Sequence, residues 1–215
     1  MNCAGKFIPP IFTYTQMNSI VLHGKGSSPS KVEWLSTPLR RFGTVEVPDF
    51  DYDVEQGLEI VLRKDFHLVA GHSRGGTVAL LAGARRFVPV IAVSAPTDRI
   101  LQLEHLSRFP EDSEQGKLYR YLSTFSRERL IETSPITYAS SLRNVLLIHG
   151  ENDDVVPIIH SERLCEKVRE AGNECNMVRL NMRHSPPKHL YREIEDIVVK
   201  WVQGLCEKRI LTCFT

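Results

Sequence analysis

Phe66-His67-Leu68-Val69-Ala70-Gly71-His72-Ser73-Arg74-Gly75-Gly76-Thr77 is the stretch on which the fold turns. Residues 66–70 form a short apolar run, the pattern of a strand covered on both faces. Residues 77–86 are rich in Ala and Leu and read as a helix. Between them Gly71-His72-Ser73-Arg74-Gly75 matches G-x-S-x-G. A serine at the centre of that pattern sits on a sharp strand-to-helix turn that lifts its hydroxyl above the end of the sheet, and small flanking residues let strand and helix pack closely. The helix start also offers N–H groups and a positive dipole end to a developing anion. Alone the pattern is moderately specific; the strand before it and the helix after it are the context it requires. G-x-G-x-x-G and the P-loop pattern are absent, which sets aside a phosphate-binding turn. Ser73 is the candidate nucleophile.

Outward from this turn, strands and helices alternate. Residues 19–22 read as a buried strand that runs into the turn His23-Gly24-Lys25-Gly26. Residues 30–42 read as a helix, 45–47 as a short strand ended by Pro48, and 54–64 as a helix with Leu58, Val61 and Leu62 on one side. Further strands are expected at 88–93, 145–148 and 177–180. An amphipathic helix over 158–171 stops at Gly172, and Leu190, Ile194, Ile197, Val198 and Trp201 mark a last helix over 188–203. Near-continuous apolar strands separated by helices specify an α/β fold with a mostly parallel sheet of about six strands and helices on both faces. In such sheets chemistry gathers at the carboxyl ends of the strands, where each candidate residue falls.

Residues 98–138 break the alternation with apolar positions such as Leu101, Leu106, Tyr121 and Leu130 among many charges. They are expected to form a short helical insertion before the strand at 145–148, either a lid over the active face or a packed surface helix pair. The expected organisation is a leader over residues 1–18, with Met17 as a second candidate start, and one domain over 19–215.

Composition limits the remaining possibilities. The chain has 215 residues, 42% hydrophobic and 25% charged, enough for one well-filled core. A net charge of +1, with basic residues interspersed among acids as in Arg127-Glu128-Arg129, argues against nucleic-acid binding. No apolar stretch reaches the length of a membrane span, and residues 1–6, without a basic segment followed by a long apolar run, are not expected to act as a secretion signal. Cys3, Cys165, Cys175, Cys206 and Cys213 are odd in number and contain no CxxC, so reduced thiols in a cytoplasmic protein are expected and no metal site is. A Cys165–Cys175 bridge stays open. No motif bears on oligomeric state.

A serine nucleophile needs a base, an acid to orient that base, and donors for the oxyanion. With this elbow the chain order is Ser, then Asp or Glu, then His. After Ile148 comes His149-Gly150-Glu151-Asn152-Asp153-Asp154, which makes Asp153 the first choice of acid, ahead of Asp154, Glu151 and Asp98. Beyond the last strand, Arg183-His184-Ser185 supplies His184 as the base, ahead of His189. His23, His72 and His149 read as packing or hydrogen-bonding residues around the elbow; His67, His105 and His160 receive no role. The backbone N–H groups of Lys25 and Arg74 are the candidate oxyanion donors. Such a triad needs no metal or organic cofactor.

Ser73, Asp153 and His184 stand in motifs that resemble those of the α/β-hydrolase superfamily. The doubled glycine Gly75-Gly76 and the run from Ser134-Pro135-Ile136-Thr137-Tyr138 to Asp153-Asp154-Val155-Val156-Pro157 resemble the catalytic domain of prolyl oligopeptidase-like hydrolases. The likeness covers about residues 19–203. It implies a compact α/β-hydrolase fold, and two departures from the large peptidases are expected: no β-propeller within this sequence, and the usual first two strands absent or reduced. Two residues depart from the pattern: Arg74 replaces the usual aromatic after the nucleophile, and Arg183 replaces the glycine before the histidine. Compact relatives of this kind are often carboxylesterases, which implies a small-molecule ester as substrate. A thioesterase or small peptidase with the same triad is the second reading, and a non-catalytic ligand-binding protein on this fold is a third, from another class.

Overall fold

The computed structural model describes residues 17–49 and 53–208. Six strands form one sheet: β1 (Met17–Leu22), β2 (Gly43–Glu46), β3 (Leu68–His72), β4 (Val90–Val93), β5 (Asn144–Gly150) and β6 (Glu174–Leu180). Their order is β2-β1-β3-β4-β5-β6, and every neighbouring pair is parallel. The chain belongs to the α/β class, as expected.

The continuous apolar strands follow from burial on both faces. Side chains alternate along a strand, so Ile20, Leu22, Val69, Val90, Ala92, Val145 and Leu147 enter one core. Val21, Leu68, Ala70, Ile91, Val93, Leu146 and Ile148 enter the other. The first core is closed by α2 (Val54–Leu62), α3 (Arg74–Arg86) and α7 (Ile159–Glu170). The second is closed by α1 (Glu33–Leu39) and α8 (Tyr191–Glu207), whose Ile194, Val198 and Val202 are fully buried at helical spacing.

The insertion over 98–138 is helical: α4 (Arg99–Leu106), α5 (Glu114–Ser123) and α6 (Arg127–Glu132) are followed by a 3-10 segment, Pro135–Ser141. Each helix starts on a side-chain cap, Asp98, Ser113 and Ser126 in turn. Asp98 accepts from the N–H groups of Ile100 and Leu101, a capping role that occupies this candidate acid.

Two expectations are corrected. Residues 17 and 18 belong to β1, with Met17 buried, rather than to a leader; the rest of that expected leader, residues 1–16, lies outside the described residues. Cys165 on α7 and Cys175 on β6 form a disulfide, with Cα atoms 5.5 Å apart, instead of remaining thiols. The α7–β6 turn folds back over ten residues and sets the two side chains face to face. The reduced-thiol basis for a cytoplasmic location therefore does not hold for this pair. Among the described residues no helix is long and apolar enough to cross a membrane.

Candidate active site

The sheet order reverses between β1 and β3, since β1 is followed outward by β2 on one side and by β3 on the other. A crevice forms above the carboxyl ends of strands at such a reversal. β3 ends at His72, and Ser73 links it directly to α3 with φ 55° and ψ −125°. A non-glycine residue in that region is strained, and the surroundings hold it there. The Ser73 N–H donates to the Val93 carbonyl at 2.9 Å, and the Ser73 carbonyl accepts from the Thr77 N–H at 3.1 Å. Close approach does the rest. A Cβ on Gly75 would run into the Leu22 carbonyl, and one on Gly71 into the Gly75 carbonyl. The two glycines that resemble turn residues in sequence thus lie at the junction of β3 with the first turn of α3, which begins at Arg74 rather than at Thr77.

Two loops converge on Ser73. Asp153 follows β5, and His184 follows β6. The Ser73 hydroxyl donates to His184 Nε2 at 2.9 Å, and His184 Nδ1 donates to Asp153 Oδ2 at 2.9 Å. The same donors and acceptors fix the imidazole tautomer, because a carboxylate only accepts. Asp153 Oδ1 accepts from the N–H groups of Val155 and Val156 at 3.0 and 2.9 Å. The Asp153 side chain is fully buried, whereas 19% of His184 is open to solvent.

Two further histidines brace this chain. His149 Nε2 lies 2.8 Å from the Val156 carbonyl and 3.4 Å from Asp153 Oδ2, while Nδ1 meets Ser161 Oγ at 2.7 Å. His72 Nε2 donates to the His184 carbonyl at 2.9 Å, with the two rings 5.1 Å apart. Burial lowers the His72 pKa to about 4, helped by the neighbouring His184, so His72 is neutral at pH 7. For Asp153, burial pushes the carboxyl upward, but hydrogen bonds from His149 and His184 outweigh it and hold the group below the usual carboxylate range.

The remaining candidate acids and histidines stand elsewhere. Asp154 pairs with Arg183 at 3.1 Å, Glu151 is exposed, and His189 is exposed in the 3-10 turn Lys188–Leu190. His160 accepts from the N–H groups of Thr97 and Asp98, and His67 accepts from the Asn18 N–H. Among the described residues no cluster of three His, Cys, Asp or Glu side chains could hold a metal ion.

Ser73 opens onto a cavity of about 230 Å³. Lys25 and Arg74 line it, the first on the loop after β1 and the second at the first position of α3. The loop after β1 runs beside the serine, for a Cβ on Gly24 would lie 3.3 Å from Ser73 Cβ. Arg99 and Gln102 of α4 and Asp53 before α2 also line the cavity. Sequence reasoning missed these three. One signal was present, because Arg99 lies just beyond the carboxyl end of β4, but nothing local shows that α4 turns it inward.

Comparison with known proteins agrees with this architecture. The sequence profile of the prolyl oligopeptidase family matches residues 7–205. An uncharacterized peptidase, YuxL, of Bacillus subtilis is 29% identical over 152 residues, covering 64% of this chain; the chain spans 22% of the length of that relative. The esterase domain of a Rhodothermus marinus protein superposes with a TM-score of 0.65 at 18% identity, covering 91% of this chain and 90% of its own. Est1E of Butyrivibrio proteoclasticus, solved with ferulic acid, superposes with a TM-score of 0.67 at 18% identity, covering 89% and 90%. With the profile matched over nearly its whole length and the parallel sheet of the α/β-hydrolase fold beneath Ser73, the chain belongs to the prolyl oligopeptidase family.

Proposed function

We propose that the protein hydrolyses carboxylic esters through an acyl-enzyme on Ser73. His184 takes the hydroxyl proton as Ser73 Oγ bonds to the carbonyl carbon, and Asp153 stabilises the resulting imidazolium. The oxyanion is held by the backbone N–H groups of Lys25 and Arg74, each worth about 3 kcal/mol of transition-state stabilisation in comparable sites. The tetrahedral intermediate collapses, the C–O bond to the leaving alcohol breaks, and His184 returns its proton to that alcohol. Water then attacks the acyl-enzyme by the same route and releases the acid. The observation that carries this reading is the unbroken 2.9 Å and 2.9 Å hydrogen-bond chain from Ser73 to Asp153 at the mouth of a cavity.

The Rhodothermus marinus esterase domain, similar over nearly its full length, favours an ester over a peptide. The family profile and YuxL favour peptide cleavage, which the same three residues would perform if the pocket admitted an amide. A fluorophosphonate probe is expected to label the wild type and not Ser73→Ala. On a panel of p-nitrophenyl esters and peptide p-nitroanilides, the esters should be turned over at least about tenfold faster in kcat/KM. Labelling that survives Ser73→Ala would sink the assignment of the nucleophile. Faster turnover of the anilides would make the protein a peptidase.

A further inference from the structure

The cavity beside Ser73 has a polar wall that the hydrolytic steps leave unused. Arg99 and Gln102, on the first turn of α4, both line it, and both are more than nine-tenths buried, at 4% and 8% exposure. The Arg99 backbone is anchored by its N–H, which donates to Ser134 Oγ at 2.7 Å. Its guanidinium carries five N–H donors. Among the described residues it donates to one acceptor, Thr133 Oγ1 at 2.7 Å. The Gln102 amide, which can both donate and accept, has no hydrogen-bond partner among them.

Carboxylates near this wall are already engaged. Glu55 accepts from Arg129 Nε at 2.9 and 3.1 Å. Asp53 caps α2 through the Gln56 N–H at 2.9 Å and lies 3.5 Å from Arg129. Among the described residues that line the cavity, Lys25 and Arg74 are basic besides Arg99, and Asp53 is acidic. Burial pulls the Arg99 pKa below its ordinary value, with Glu55 opposing it, which marks a charge whose lost hydration is incompletely replaced. Val54, Leu118 and Leu122 add an apolar surface to the lining.

The spare polar groups of Arg99 and Gln102 open onto the cavity, where a ligand can pair with them in place of water. A guanidinium beside an amide matches a carboxylate, through charge-assisted bonds from the first and a further donor from the second. We propose that this cavity takes an acyl chain ending in a carboxylate, bound by Arg99 and Gln102 while the scissile carbonyl at its other end sits at Ser73. The substrates are then monoesters of short dicarboxylic acids, with the methylene chain against Val54, Leu118 and Leu122. This rests on the hydrolase reading and adds no covalent step to it. The bonds made and broken are those at the carbonyl, and the second carboxylate is held unchanged.

Three esters test it: mono-p-nitrophenyl glutarate, the neutral p-nitrophenyl pentanoate, and the acetate ester of 4-hydroxybenzoate, whose carboxylate is on the leaving group. The wild type should favour the glutarate over the pentanoate by about tenfold or more in kcat/KM. Arg99→Gln should reduce that ratio about tenfold, mainly through KM, and Arg99→Lys should restore part of it. Where Arg99→Gln does not fold, Gln102→Leu should lower the ratio about threefold. Free glutarate should raise the melting temperature of the wild type and of Ser73→Ala alike, through Arg99. Equal rates on glutarate and pentanoate, or equal losses on both in Arg99→Gln, overturn the proposal. A preference for the carboxylated leaving group overturns the acyl-side assignment. If no ester is cleaved and no probe labels Ser73, the hydrolase reading fails, while glutarate stabilisation that depends on Arg99 still upholds the pocket.

Discussion

Ser73 holds a backbone conformation that few residues tolerate, and the result is an Oγ presented to His184 Nε2 at 2.9 Å. What keeps His184 ready is Asp153. The carboxylate has two acceptor oxygens and uses both, one for the imidazole and one for the Val155 and Val156 N–H groups. Its pKa is pushed up by burial and pulled down further by His149 and His184, so it stays ionised through the neutral and mildly acidic range. Asp153→Asn would keep the shape and the backbone bonds but present an amide that can donate to His184 Nδ1, favouring the wrong tautomer. Ester hydrolysis is expected to fall about 10³–10⁴-fold in kcat, as such a change does in comparable triads, with KM within a few-fold. A loss smaller than tenfold would mean that another group orients the base. At this scale the meeting of Ser73, Asp153 and His184 was legible because each follows a strand and the three stand in the order expected for this elbow. Arg99 and Gln102 were not legible: their importance lies in what they fail to touch, which no local pattern records.

At the scale of elements, the junction of β3 and α3 depends on bare backbone. Gly75→Ala would drive a methyl into the Leu22 carbonyl of β1 and force α3 off the sheet. A loss of about 2 kcal/mol or more is expected, together with loss of fluorophosphonate labelling, since the same shift displaces Ser73. Gly204 is the contrast. It lies inside α8, and a Cβ there would meet nothing within 4 Å. Gly204→Ala should raise stability by about 0.5–1 kcal/mol, read from the urea midpoint at constant slope, with fluorophosphonate labelling of Ser73 unchanged. Element types were readable because strands buried on both faces lose their polar alternation and the helices keep theirs. Boundaries were less so. The strand expected at 66–70 runs Leu68–His72, because pairing of Leu22 with Gly71 and of His72 with Val93 extends the ladder toward the active face. The helix expected from 77 starts at Arg74, because glycines that discourage a helix in isolation are what let this one dock.

Across the whole molecule, two buried histidines couple the fold to pH. His72 bridges the elbow to the His184 loop, and His160 ties α7 to the loop after β4 through the N–H groups of Thr97 and Asp98. Burial is the main cause in both, with nearby histidines adding to it, and lowers their pKa values to about 4 and about 3. Unfolded, each would take up a proton near pH ~6.5. Between about pH 6.5 and 4 the unfolded chain therefore binds more protons than the folded one, and stability falls as pH falls. Each such histidine contributes a slope of about 1 kcal/mol per pH unit near pH 5. Asp153 acts in the same direction but lower: its contribution is complete above its unfolded pKa near ~4 and disappears only as pH drops through its depressed folded value. The histidine window thus opens first. Urea unfolding at pH 7, 6 and 5 should show stability falling on acidification, steepest between pH 6 and 5. His72→Gln, which keeps a donor toward the His184 carbonyl but cannot titrate, should flatten that dependence by about 1 kcal/mol per unit. An unchanged slope in this variant would mean that His72 is reached by water and protonates in the folded state, and the packing of Trp34 against its ring, with centroids 5.9 Å apart, would not seal it as the burial indicates.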